Sequence, residues 1–182
     1  MSAYYFDDEE EGLARETSHP FFVEHASEEF YFDCTDDFSP FGNDSGSDTL
    51  SSLEEWYKER TAGAKAATFL RNLLTNDWGF DASYLDVTDL TQLDAMSRDE
   101  QSLNSEIDKA VIATAFGQFK IAGQADKAIL RMATDAFRRQ RFEAEKAGKR
   151  ESHPCEYAEQ FLARLDIMEA DLAAMANKKP AN

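Results

Sequence analysis

The residues with the most chemistry to offer are crowded into one stretch. Glu29 to Leu50 reads EFYFDCTDDFSPFGNDSGSDTL and holds Asp33, Asp36, Asp37, Asn43, Asp44 and Asp48 among the aromatics Phe30, Tyr31, Phe32, Phe38 and Phe41. Ca²⁺ takes roughly six to eight oxygen ligands and Mg²⁺ fewer from protein. On that chemistry Asp33, Asp37, Asp44 and Asp48 are the candidate ligands for either ion. The spacing is not that of an EF-hand, because placing Gly42 or Gly46 at the invariant glycine breaks the alternation of ligands. A second use of the same carboxylates is to attract a basic protein, with Asp33, Asp36, Asp37 and Asp44 as charged contacts and Tyr31 and Phe38 as aromatic anchors. A third is structural. Asp44, Ser47 or Asp48 would cap a helix entered at Thr49, while Pro40, Gly42 and Gly46 supply turns and Phe38 and Phe41 plug the loop into a core.

The run from Asp36 to Leu50, followed by Trp56-Tyr57, resembles a bacterial group described as YfeS-like. Its Phe-x-Asn-Asp-x-x-x-Asp core, here Phe41 to Asp48, is also similar to motifs in other small bacterial proteins and to loops in some toxin-immunity families. The resemblance covers residues 28–80. Some members carry an additional WGR module, and Trp78-Gly79-Phe80 is not one. The resemblance implies a bacterial cytoplasmic protein, carries no catalytic residue across, and extends the expectation of a basic partner to an immunity-like one.

Helical periodicity supplies the elements that must position these residues. Leu103, Ile107, Val111, Ala115 and Phe119 form one long stripe that stops near Gly123. Ala125, Ile129, Met132, Ala136 and Phe137 form a second, and Tyr157, Phe161, Leu165, Met168, Leu172 and Met175 a third beginning near Pro154. Leu50, Leu53, Trp56 and Tyr57 start a helix from Thr49, with Ser51 and Glu54 spaced as a capping box. Gly63 marks a break, Asn76 to Gly79 a stop, and Leu90 with Leu93 a short helix. Thr17-Ser18-His19-Pro20 reads as the start of a helix running to about Glu28, capped by a hydroxyl. Phe30, Tyr31 and Phe32 favour extended structure, so one short strand pairing is expected over Glu29–Asp33. The expected fold is an all-α, compact multi-helix domain over 17–177, with an irregular acidic N-terminal region, an acidic arm at 1–16 and a tail at 178–182.

Composition excludes several functions. The 182 residues carry 36 acidic and 19 basic side chains, a net charge of −17. Residues 1–60 hold 17 acidic against three basic residues, so the excess lies in the first third. Residues 120–150 invert the balance, with nine basic and four acidic, including Arg138, Arg139 and Arg141. That run is the one phosphate-binding candidate. The bulk charge opposes it, and ion-paired or solvated arginines are the competing reading. Neither nucleic acid nor membrane is expected as a partner. No glycine-rich phosphate loop or nucleophile elbow occurs, and His19, His25 and His153 form no paired metal motif. Cys34 and Cys155 make no disulfide framework, and the opening MSAYYFDDEEEG is acidic where a secretory leader is basic, so a cytoplasmic setting is expected. The residues favour a non-enzymatic, acidic interaction protein binding a basic protein partner, without a cofactor. The alternative is a divalent-metal protein or metal-dependent hydrolase built on loop 33–48.

Overall fold

The computed structural model describes residues 4–96 and 98–178. Of the tail expected at 178–182 only Lys178 is among them, and of the arm expected at 1–16 the first three residues lie outside them. The fold is all-α. Seven α-helices are present among the described residues: α1 (Pro20–His25), α2 (Asp44–Glu59), α3 (Ala66–Asn72), α4 (Leu90–Asp94), α5 (Arg98–Ala122), α6 (Lys127–Gly148) and α7 (Ala158–Asn177). No helix among the described residues is long and apolar enough to cross a membrane.

Helix α5 is the axis on which the rest is assembled. Its second half is buried on every side and mostly apolar, with Ala110, Val111, Ala113, Ala115, Phe116 and Ile121 all fully buried. A helix buried all round must be wrapped by others. Helices α2 and α6 pack along it, α7 packs on α6, and α1 crosses near its end. Gly117 permits the α2 contact, since a Cβ there would lie 2.7 Å from Leu53 Cδ2. The three long stripes of the sequence are α5, α6 and α7.

Three local expectations differ. Residues 29–32 form a 3₁₀ turn (Glu29–Phe32), and no strand occurs among the described residues. A strand sends consecutive side chains to opposite faces, whereas Phe30 and Tyr31 are both buried in one core. Helix α2 begins at Asp44, five residues before Thr49, because Asn43 is the cap: its side chain accepts from Gly46 N at 2.9 Å. Glu54, expected in a capping box, lies mid-helix and buried. Helix α1 ends at His25, short of Glu28, and its cap is the His19 ring, which accepts from Phe21 N at 3.1 Å. The hydroxyls of Thr17 and Ser18 bind the preceding loop instead, Ser18 Oγ donating to Ala14 O at 2.6 Å.

The His19 cap needs an unprotonated Nδ1, and burial lowers the pKa of the ring. A base whose folded pKa lies below its unfolded value is protonated more readily in the unfolded chain. Stability is therefore fully present above the unfolded value, roughly 6.5, and falls as pH drops through the folded one. His19→Asn keeps an acceptor without the titration. Urea melts should show wild type losing stability relative to His19→Asn between neutral and mildly acidic pH. Parallel curves would mean the ring does not titrate in this way.

The segment before α1 is docked along the molecule. Tyr5 N donates to Ile121 O at 3.0 Å, closing a backbone bond to the end of α5. Asp7 Oδ1 sits 2.7 Å from Lys120 Nζ, and Asp7 N donates to Glu54 Oε1 at 2.9 Å. Lys120 is fully buried, so its charge is balanced inside the fold by Asp7 and Glu54. Glu54 itself is pushed up by burial, against the pull of the Asp7 amide and Lys120.

Candidate functional site

Most of the Asp/Asn/Gly motif builds the turn into α2. Phe41 is 1% exposed and anchors the loop in the core beside Phe22. Ser39 Oγ accepts from Gly42 N at 2.8 Å, and Asn43 Nδ2 donates to Ser39 O at 2.9 Å. Backbone passes too closely for side chains at two positions. A Cβ on Gly42 would run into the Asp36 and Asp33 carbonyl oxygens, and one on Gly46 into the Pro40 carbonyl. Asp36 Oδ1 accepts from Phe38 N at 2.9 Å, while its other oxygen meets Arg164 of α7 at 2.8 Å. Arg164 also lies over the Phe30 ring, 3.8 Å from its centroid. The segment is thereby fastened to α7 from both sides.

Two proposed contacts are corrected by this geometry. Tyr31 cannot be a surface anchor: it is fully buried, edges against Phe22, and donates to Asp171 Oδ2 at 2.8 Å. Burial, with the Asp171 carboxylate adding to it, drives its hydroxyl pKa far above the ordinary value. Asp36 is held in the Arg164 pair. Asp33 is exposed but turned back on its own loop, accepting from Thr35 N at 2.8 Å and Thr35 Oγ1 at 2.7 Å, which holds its carboxyl below the ordinary value.

Asp37, Phe38 and Asp44 are brought together. They line a cleft of ≈ 530 Å³ where α2 starts against α5, α6 and α7. Among the described residues the Asp37 and Asp44 carboxylates make no hydrogen bond or ion pair, and both are exposed. Asp44 also opens α2, where a negative charge is favourable. Phe38 and Phe161 meet with ring centroids 5.1 Å apart and form an aromatic wall. Glu106 and Lys109 of α5 complete the charged lining, joined to each other at 2.9 Å, with Ser45 Oγ donating to Glu106. Desolvation raises the Glu106 carboxyl, but the bonds from Ser45 and Lys109 outweigh it, and the net shift is downward. Glu106 therefore carries its charge at neutral pH.

Glu106, Lys109, Gln140 and Phe161 were not legible as site residues. Gln140 sits inside the arginine run, and its Nε2 donates to Ser105 O at 3.1 Å. The run itself is spent on internal pairs: Arg138 with Asp135, Arg139 with Asp108, and Arg141 with Asp166 and Glu169. The four candidate metal ligands do not converge. Asp33 and Asp48 lie outside the cleft, and among the described residues no group of three or more His, Cys, Asp or Glu side chains is placed to hold a metal ion. Cys34 and Cys155 are both exposed and free.

No family model matches the chain, and no solved structure matches it. Among curated proteins it is similar to the uncharacterized protein YfeS of Escherichia coli (strain K12), 35% identical over 147 residues. The match takes in 79% of this chain and 59% of the relative's length, so the chain spans less than two thirds of that protein. The likeness to the YfeS-like group, read from the motif at residues 28–80, is thus borne out and extends over 147 residues of matched sequence.

Proposed function

We propose that the chain is a non-enzymatic interaction protein, which receives a cationic segment of a basic protein in the cleft between α2, α5 and α7. The observation that carries this reading is the division of labour within the motif. Its glycines, Asn43, Ser39 and Asp36 are consumed in building the turn, while Asp37 and Asp44 stand unpaired on a cleft with an aromatic wall. Carboxylates beside half-buried aromatic rings suit a guanidinium or ammonium group, which gains from both. Opposite potentials also accelerate encounter with a basic surface, in keeping with the net charge of −17. An immunity-like role against a basic toxin is the finer form of this proposal. The two exposed, unpaired cysteines suit a reducing, cytoplasmic setting.

A labelled arginine-rich peptide tests it by fluorescence anisotropy. Asp37→Asn with Asp44→Asn should weaken binding about tenfold, or about 1.4 kcal/mol, while lowering stability by no more than about 1 kcal/mol, the contribution of the Asp44 charge to the start of α2. Glu9→Gln with Glu10→Gln removes the same number of charges elsewhere and should leave affinity nearly unchanged. Equal losses from both pairs would reduce the effect to bulk charge and refute the cleft.

A further inference from the structure

A second cleft opens on the other part of α2, and its chemistry differs. It occupies ≈ 640 Å³ between α2, the turn at Gly63 and α3, and shares no lining residue with the motif cleft. Its volume falls within the range of small-molecule sites, roughly 300–1,000 Å³. Trp56 and Phe69 form one wall, their ring centroids 5.4 Å apart and their planes inclined by 34°. Both residues are half-buried, and both line the cleft. Among the described residues the indole N–H of Trp56 has no acceptor, although a half-buried tryptophan ordinarily finds one.

The polar lining is also uncommitted. Glu55, Lys65 and Asn72 make no side-chain hydrogen bond or ion pair among the described residues. Asp77, equally free, arrives by an irregularity of the backbone. Helix α3 runs into a π-helical turn at Leu73–Asp77, and Trp78 N bonds to Leu73 O at 3.0 Å. Single π-turns are rare and gather at functional sites.

We propose that this cleft binds a neutral sugar unit of a glycan. Apolar C–H faces of a pyranose ring would lie on Trp56 and Phe69, and its hydroxyls would exchange hydrogen bonds with Asn72, Asp77, Glu55 and the indole N–H. The charge pattern argues for a neutral ligand. Lys65 is the one basic side chain of the lining, beside the acidic Glu55 and Asp77, which opposes phosphates and other multiply charged anions, and the single net negative charge that remains is too little to hold a polycation. The proposal is independent of the motif cleft.

Trp56 can report directly, in a Trp78→Phe background that leaves it as the sole tryptophan. Titration with maltose, cellobiose and N,N′-diacetylchitobiose should give a saturable change in Trp56 emission for at least one, at millimolar half-saturation. Asn72→Ala, a change on an exposed side chain, should weaken that binding about tenfold while the melting temperature holds. Trp56→Ala, read by calorimetry, should abolish it. No saturable change with any of the three sugars would overturn the proposal, as would binding unaffected by Asn72→Ala. A saturable response to ATP or spermidine in place of the sugars would overturn it too.

Discussion

Replacing Arg139 by Leu is expected to destabilise the fold by about 3–5 kcal/mol, the usual consequence of breaking a buried ion pair from one side. Arg139 is 1% exposed, and its Nε and Nη2 both donate to Asp108 Oδ1, at 2.9 and 2.7 Å. The remaining Asp108 oxygen accepts from Tyr84 at 2.9 Å, and Arg139 Nη1 donates to Val87 O at 2.9 Å. This network is what fastens the irregular stretch 82–87 to the α5–α6 pair. Truncating Arg139 strips the buried Asp108 carboxyl of its cation, so that it must stand as a lone charge or take up a proton, and frees the Val87 carbonyl. Arg139→Leu with Asp108→Leu removes both charges and should recover much of the loss, because the desolvation of each ion disappears along with their attraction. A double variant as weak as the single one would mean that shape, rather than charge, is at stake. Burial raises the Asp108 carboxyl to about 7, against the pull of Arg139 and Tyr84. A carboxyl whose folded pKa is raised gives stability present below its unfolded value, roughly 3.9, and lost as pH rises through the folded value. The difference in urea stability between wild type and Asp108→Asn should therefore shrink from pH about 5 to pH about 8. A difference independent of pH would contradict the shift.

Lys120→Met is expected to have the next largest effect, again about 3–5 kcal/mol, and to release the N-terminal segment. The ammonium is fully buried between Asp7 at 2.7 Å and Glu54 at 3.3 Å, and it also donates to Thr17 O at 3.3 Å. Without it the Asp7 and Glu54 carboxylates lose the cation between them, in the most acidic third of the chain. The segment 4–16 should then be cut by protease at concentrations that leave wild type intact, with the helical circular dichroism largely retained. Loss of all helical signal in step with cleavage would instead make this segment inseparable from global folding. Tyr5, whose amide bonds to Ile121 O, is the residue whose exchange protection should fall first.

How much of this was legible follows from the kind of signal each residue carries. Helices α5, α6 and α7 repeat apolar residues at three and four over many turns, and that repetition survives any detail of packing. The start of α2 was hidden because Asp44 to Asp48 is polar and glycine-containing, which reads as loop. What makes it helix is the Asn43 cap and the close approach of the Pro40 carbonyl to Gly46, a contact between residues no pattern links. Tyr31 was expected as an aromatic anchor for a partner because aromatic residues carry such contacts. Its hydroxyl is satisfied by Asp171, 140 positions along the chain. Half of the cleft was legible, since Asp37, Phe38 and Asp44 lie in the motif. The other half was not. Glu106 and Lys109 look like one solvated turn of a helix until α2 is laid against it, and Phe161 looks like one more residue of the α7 stripe. The sum of charges was legible, but not that Lys120, Arg139 and Arg164 would be absorbed inside the fold.

The unpaired carboxylates of the motif cleft are the centre of the functional account, and amide-resolved NMR tests them most directly. An arginine-rich peptide titrated into the ¹⁵N-labelled protein at physiological salt should shift the amides of residues 37–45 and of 105–109, and leave those of 4–16 in place despite their charge. The same titration on Asp37→Asn with Asp44→Asn should leave the cleft amides still. Shifts spread over the acidic N-terminal segment, or unchanged in the double variant, would show that the peptide answers to net charge and that the cleft is no binding site.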